Sequence, residues 1–326
     1  MTDHIAGLLG VEPAGIIYTS GASESNNLAI KGIAQASRNT GRHMISTVLE
    51  HASVGGTLTA LQQQGWEVDL LDIQRDGTID LEQLGDLLRK DTILVSVCAV
   101  DSELGTVQPI RKITEILKDF PNCRLHVDAT QAIGKTELVM DGVDTMSIAP
   151  HKFYGLNGSG LLLKKSSLII EPQTHGGSST TPYRSGTPGL ALAVSIEKAL
   201  QLTLTQQEER IRYVRQLNEY LKTALLHYPA VRINSPEGAV PHILNLSVQG
   251  LKGTVFQRVL SERGVCVSVK SACSAEGTPS KAVFAVSGDR KNALSSWRVS
   301  LSHLTTREEL DEFLQVFDQC YKELGP

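Results

Sequence analysis

Residues 147–160 read SIAPHKFYGLNGSG and place Lys152 between a strand-like apolar run and a glycine-rich turn. A solvated lysine usually sits on a polar helix face, so a lysine at a strand end is either an anchor for something or a loop residue. Other strand-like runs end on equally suggestive groups. GIIYT leads into SGASESNNLAIKG, a small-residue turn opening a helix. The first backbone N–H groups of that helix and the hydroxyl of Ser23 suit a phosphate, although the stretch by itself is also an ordinary capped helix. HMISTVLE leads into His51, and CRLHVDATQ ends on Asp128 with Gln131 close behind.

Singly, each of these is weak. Together, a phosphate cradle, an imidazole, a carboxylate, an amide and a strand-end lysine are what pyridoxal 5'-phosphate needs. A lysine in a partly desolvated site loses its proton and condenses with the cofactor aldehyde. A carboxylate facing the pyridine nitrogen keeps it protonated, so the ring acts as an electron sink. A histidine can stack on the ring and move protons.

Such groups need a scaffold that brings strand ends to one edge. The runs GIIYT, HMIST, WEVDLLDI, TILVSVCAV, CRLHVDA, DTMSIA and GLLLKK alternate with helical patterns such as DLEQLGDLLRK, in which Leu81, Leu84, Leu87 and Leu88 follow a capping Asp80. That alternation predicts an α/β fold: a mostly parallel central sheet with helices on both faces, binding ligands beyond the carboxyl ends of its strands. At 326 residues the chain exceeds a single core, and two domains are expected, 1–205 and 206–326. The second should be a smaller α+β unit built from HILNLSV, a helix over TVFQRVLSERG, VCVSV, SSWRVSLS and a terminal helix.

The formal net charge of -4, without a basic stripe, gives no support for nucleic acid or a membrane surface as partner. No apolar stretch would span a bilayer and the start lacks a signal-peptide pattern, so a cytoplasmic protein is expected. Five unclustered cysteines indicate neither a disulfide framework nor a zinc site, and no metal is expected. Cys98 and Cys266 read as small hydrophobes inside strands, Cys123 as a loop-to-strand edge residue, and Cys320 as part of the terminal helix. Cys273, in VKSACSAEGTPSK, has small polar neighbours and reads as an exposed loop thiol.

The motifs TSGASESNNLAIKG, LEHASV, ELGTVQPI, HVDATQAIGK, APHKFYG, YRSGTP and SACSAE resemble those of the NifS/IscS-type cysteine desulfurases, within the class V aminotransferase-like group. The resemblance runs over nearly the whole chain. It implies fold type I of the pyridoxal-phosphate enzymes, conversion of L-cysteine to L-alanine, and a persulfide on the enzyme that is passed to a sulfur-acceptor protein. It also implies roles: Lys152 as the cofactor-linked lysine, Asp128 at the ring nitrogen, Gln131 at the phenolate oxygen, and His51 stacked on the ring. Ala22, Ser23 and His151 would line the phosphate, with Thr187 supplied from a second subunit of a homodimer. Ser102 would contact the cofactor, Arg298 would bind the substrate carboxylate, and Cys273 would take the sulfur. Ser102 replaces a common asparagine, and Ala149 and Pro150 replace a common serine and glycine. By the same resemblance Met1 falls after the usual opening strand and its following segment, which are expected to be absent. The alternatives are a shortened, weakly catalytic member acting as a binding partner, or another pyridoxal-phosphate lyase or aminotransferase of this fold.

Overall fold

The computed structural model describes residues 1–178, 180–270 and 277–325. It divides into two compact units. The first takes Met1–Asp72, Ile79–Val100 and Gln108–Gln206; the second takes Ile73–Thr78, Asp101–Val107 and the chain from Gln207 onward.

In the first unit the elements run α1 (Thr2–Leu9), β1 (Ile16–Thr19), α2 (Ala22–Ala36), β2 (His43–Thr47), α3 (Ala52–Gln62), β3 (Glu67–Leu71), α4 (Leu81–Leu87), β4 (Thr92–Cys98), α5 (Ile110–Leu117), β5 (Arg124–Asp128), β6 (Thr145–Ile148), β7 (Gly160–Lys164) and α6 (Leu190–Thr205). All seven apolar runs become strands of one sheet, in the order β1-β7-β6-β5-β4-β2-β3. Only β7 is antiparallel to its neighbours, so β1, β6, β5, β4, β2 and β3 all present their carboxyl ends at one edge. The register sets Cys98 beside Asp128 and Asp128 beside Ser147. β1, β2 and β4 to β7 are almost wholly buried, as expected of strands covered on both sides, whereas the edge strand β3 is only partly covered. Leu28, Ile30 and Ile33 of α2 and Val54, Leu58 and Leu61 of α3 join Ile17, Met44, Ile93, Leu94 and Leu162 in one apolar cluster.

Asp80 accepts from the backbone N–H groups of Glu82 and Gln83, the cap read from the sequence. The helical stretch that opens at Leu190 breaks at Gln206, and α7 (Gln207–Leu225) begins the continuous part of the second unit.

The second unit continues with β8 (Val231–Ile233), β9 (Ile243–Val248), α8 (Gly253–Ser261), α9 (Lys281–Ser287), α10 (Arg290–Ser295), β10 (Ser296–Ser300) and α11 (Arg307–Leu324). Its antiparallel sheet has the order β10-β9-β8. Trp297 stacks on Phe256 at 5.5 Å, and Phe313 and Phe317 complete the aromatic core. VCVSV, expected as a strand, forms only an isolated bridge between Ser268 and Arg298, and the third strand is instead the short VRI of β8. The alternation in VCVSV reports burial rather than a ladder: Val265, Val267 and Val269 pack on the core. Cys266, between them, is exposed, which corrects its reading as a buried strand residue. Cys98, Cys123 and Cys320 are buried.

Residues 101–107 reach this unit through their backbone. The Val240 N–H donates to Gly105 O at 2.9 Å and the Asn245 amide to Glu103 O at 3.2 Å. Gly105 has a φ of 80°, and a Cβ there would lie 3.0 Å from Ile243 Cβ, so a side chain would be both strained and crowded. Among the described residues no helix is long and apolar enough to cross a membrane.

Candidate active site

Four chemical groups gather at the carboxyl edge of the large sheet because four parallel strands end there. β1 ends at Thr19, and α2 opens two residues later with Ala22 and Ser23 in its first turn. The first-turn N–H groups of a helix lack intrahelical acceptors, and with the Ser23 hydroxyl they form a donor set for an anion. The turn is drawn onto the sheet by Gly160, where a Cβ would stand 2.6 Å from the Gly21 backbone. β2 ends at Thr47; His51 then caps α3, its Nδ1 accepting the Ser53 N–H at 3.1 Å.

β5 ends on Asp128, which is 5% exposed. Its Oδ1 accepts from the Thr130 N–H at 2.9 Å and its Oδ2 from the Asn26 amide at 2.8 Å. Gln131 follows; its Oε1 accepts from Lys135 at 2.7 Å, so that its NH2 is the end that can donate to a ligand. β6 leads into a 3₁₀ turn over Pro150–Phe153 that carries His151 and Lys152. Both are exposed, so Lys152 stands past the sheet edge rather than in the partly desolvated position expected from the run before it. Partial desolvation, then the Lys152 cation, holds His151 below the usual histidine range.

Thr187 lies in the segment after Tyr183. Arg184 pairs with Glu24 of α2 at 2.8 Å and so fastens this segment to the same turn. Thr187, Arg184, Thr19, Ser20 and Gly158 line a cavity of about 200 Å³. Ser102 and Arg298 belong to the second unit, where Arg298 Nη1 donates to the Ser102 carbonyl at 2.5 Å. Arg298 Nε is buried without a hydrogen-bond partner. Burial, helped by the Glu103 charge and opposed by Arg298, pushes Asp101 up to about 6. Cys273 lies outside the described residues.

Several residues at the edge escaped sequence reasoning. His126 is fully buried two positions before Asp128, and strand alternation puts both on one side of β5, a usable signal. Its Nε2 lies 3.0 Å from Asn26 Oδ1 and its Nδ1 2.9 Å from Thr145 Oγ1. Asn26 is one turn along α2 from Ser23 and is wholly buried, which only the fold reveals.

Glu50, immediately before His51, accepts through Oε1 from the Cys98 N–H at 2.8 Å and the Thr47 hydroxyl at 2.9 Å, while its Oε2 is buried without a partner. Burial pushes its carboxyl from 4.5 up to about 8, with the Asp128 charge adding to the rise and the Cys98 N–H opposing it. A carboxyl raised on folding stabilises the fold below its unfolded value and loses that contribution as pH climbs through the folded one. Against Glu50→Gln, the melting temperature of the wild type is therefore expected to fall progressively from pH 5 to pH 9, by on the order of a few degrees. Calorimetric scans that stay parallel across this range would refute it.

The residues present fit pyridoxal phosphate by their chemistry: an amine, a held carboxylate, an amide donor, an imidazole and a helix N-terminus stand at one edge, with buried oxygens Glu50 Oε2 and Thr130 Oγ1 lacking partners there. Residues 1–313 match the family model described as Aminotransferase class-V. The chain belongs to the class-V aminotransferase family. Among similar members, the NifS/IcsS protein homolog of Lactobacillus delbrueckii subsp. bulgaricus is 39% identical over 98% of this chain and 84% of its own length. The cysteine desulfurase IscS of Dictyoglomus turgidum is 34% identical over 99% of this chain and 83% of its own. A solved NifS-like protein superposes with a TM-score of 0.93 at 31% identity, covering 99% of this chain and 86% of that one. The seven-stranded, mostly parallel sheet anticipated from the strand pattern is, in this family, the fold type I scaffold that the resemblance implied.

Proposed function

We propose that this chain is a pyridoxal 5'-phosphate-dependent cysteine desulfurase that converts L-cysteine to L-alanine and passes sulfane sulfur through Cys273 to an acceptor protein. The observation that carries the reading is the convergence of Lys152, Asp128, Gln131, His51 and the α2 N-terminus on one sheet edge of a class-V aminotransferase. Relatives that share a third or more of its residues bear the desulfurase name.

Bound at this edge, the pyridoxal ring supplies an electron sink for bond breaking at the Cα and Cβ of the amino acid. Lys152 would hold the aldehyde carbon covalently and afterwards carry protons to and from Cα. Asp128 would keep the ring nitrogen protonated, and the Gln131 NH2 would donate to the phenolate oxygen. Ala22 and Ser23 would hold the phosphate with His151 and a partner subunit's copy of the Thr187 segment, and Ser102 would add a contact to the cofactor. Arg298 would take the substrate carboxylate. His51 would stack on the ring and supply a proton. The Cys273 thiolate would accept the sulfur from the substrate Cβ–S bond, leaving a persulfide.

Incubating the pyridoxal-phosphate-loaded protein with L-cysteine and excess dithiothreitol is expected to yield alanine and sulfide in equal amounts. A yield of pyruvate and ammonia in place of alanine would overturn the reading in favour of a lyase.

A homodimer and a cytoplasmic site of action belong to the same reading. Leu190, Val194 and Leu202 expose an apolar stripe along α6, with Leu190 at 72% exposure, and Leu156 joins it through a bond from its N–H to Ser195 Oγ at 3.2 Å. An isologous pair would bury this stripe. Sedimentation of the active protein as a monomer would refute the dimer.

A further inference from the structure

We propose that Asn26 is a positioning residue of this site: one buried amide joins Asp128 to His51, setting the rotamer of the carboxylate and the tautomer of the imidazole. The inference rests on the proposed use of both residues with pyridoxal phosphate.

Asn26 is 0% exposed on the second turn of α2, and every bond it makes is directional. Its Nδ2 donates to Asp128 Oδ2 at 2.8 Å and to Ser53 Oγ at 2.9 Å, and its Oδ1 faces His126 Nε2 at 3.0 Å. The amide cannot be turned round, because its oxygen would then oppose the Asp128 carboxylate. Oδ1 must therefore accept, and the His126 proton resides on Nε2. His126 Nδ1 is left to accept from the Thr145 hydroxyl at 2.9 Å. Burial lowers His126 to about 4 despite the nearby Asp128 charge, so the ring stays neutral and the arrangement does not change across the working pH range.

The other arm reaches His51. Ser53 Oγ receives the Asn26 proton, so its own hydroxyl proton goes to His51 Nδ1 at 2.9 Å, the atom that also takes the Ser53 N–H at 3.1 Å. Two donors on Nδ1 leave the neutral His51 with its proton on Nε2, the nitrogen from which it can be given to a reacting group. The carboxylate and the imidazole are thus oriented by one side chain that need touch neither substrate nor cofactor, an outer-shell arrangement of the sort that tunes reactive groups.

The test compares the pyridoxal-phosphate-loaded wild type with Asn26→Asp, Ser53→Ala, His126→Gln and His126→Phe, after thermal melts establish which variants fold. Asn26→Asp puts an acceptor against Asp128. It is expected to weaken pyridoxal phosphate binding at least about tenfold, the scale of one lost hydrogen bond to a charged group, and to shift the pH titration of the visible band. Ser53→Ala cuts only the arm to His51. It should leave cofactor affinity within about twofold while moving the pH profile of kcat, because Nδ1 then keeps only the backbone N–H of residue 53 as a donor and takes up a proton more readily. His126→Gln, which can still donate to Asn26 Oδ1, should keep the wild-type titration, whereas His126→Phe should not.

A wild type that binds and turns over, with folded variants that match it in affinity and in both pH profiles, overturns this inference alone. A wild type that takes up no pyridoxal phosphate overturns the proposed function and this inference with it. Should Asn26→Asp fail to fold, the Ser53→Ala profile and the glutamine-against-phenylalanine contrast at position 126 decide the matter.

Discussion

Replacing Cys273 with serine is expected to leave the visible spectrum of the pyridoxal-phosphate-loaded protein and its response to L-cysteine intact, while alanine production falls at least on the order of a thousandfold, the scale of losing a reaction's nucleophile. Serine hydroxyl is a far poorer acceptor of sulfane sulfur than thiolate, and the two side chains differ by a single atom of similar size. The rest of the protein sharpens the test. Cys98, Cys123 and Cys320 are buried. Burial pushes the Cys123 thiol up to about 12 and raises Cys320 as well, so neither is poised as a thiolate near neutral pH. Cys266 is the exposed thiol among the described residues, which makes Cys266→Ser the necessary control, expected to keep full turnover. Mass spectrometry of the wild type after cysteine addition should find the extra sulfur on the peptide containing Cys273. Its appearance only on the Cys266 peptide would overturn the assignment.

Lys152→Ala is expected to remove every borohydride-reducible link between pyridoxal phosphate and the protein and to lower turnover by roughly 10⁴-fold or more, since the variant loses both a covalent anchor and a proton carrier. The phosphate donors at the start of α2 and the carboxylate of Asp128 remain in the variant, so weak noncovalent uptake of the cofactor should persist and the fold should be unaffected. Lys152 is exposed on a short turn, and its truncation leaves no cavity in the core. Borohydride reduction followed by peptide mapping checks the link. An adduct in the variant, for instance on Lys135 beside Gln131, would show that Lys152 is not the anchor.

Strand and helix periodicity determined the large unit. Seven apolar β-branched runs separated by amphipathic segments admit few arrangements other than a mostly parallel sheet, and residues immediately after such strands necessarily reach its carboxyl edge. Lys152, Asp128, His51 and Ser23 were therefore legible as a set, because their placement depends only on which strand each one follows. The small unit was less legible. VCVSV and VRI differ little as local patterns, and the hydrogen-bond partners supplied by β9 and β10, outside either local pattern, decided that one would be a strand and the other a single bridge.

The environment of each group was decided by tertiary structure alone. Asn26 in SNN looks like any helix polar residue; the packing of α2 against the sheet buries it between His126, Asp128 and Ser53, residues 27 to 102 positions away in sequence. Glu50 in LEH looks like a surface carboxylate until the end of β4 brings the Cys98 N–H to it and burial raises its proton affinity. Residues 101–107 join the second unit, and Arg298 comes to hold the Ser102 carbonyl, through contacts that span nearly two hundred residues. Local pattern determines which atoms a strand end can offer. Desolvation and hydrogen bonding, which set protonation and orientation, depend on neighbours that only the folded chain assembles.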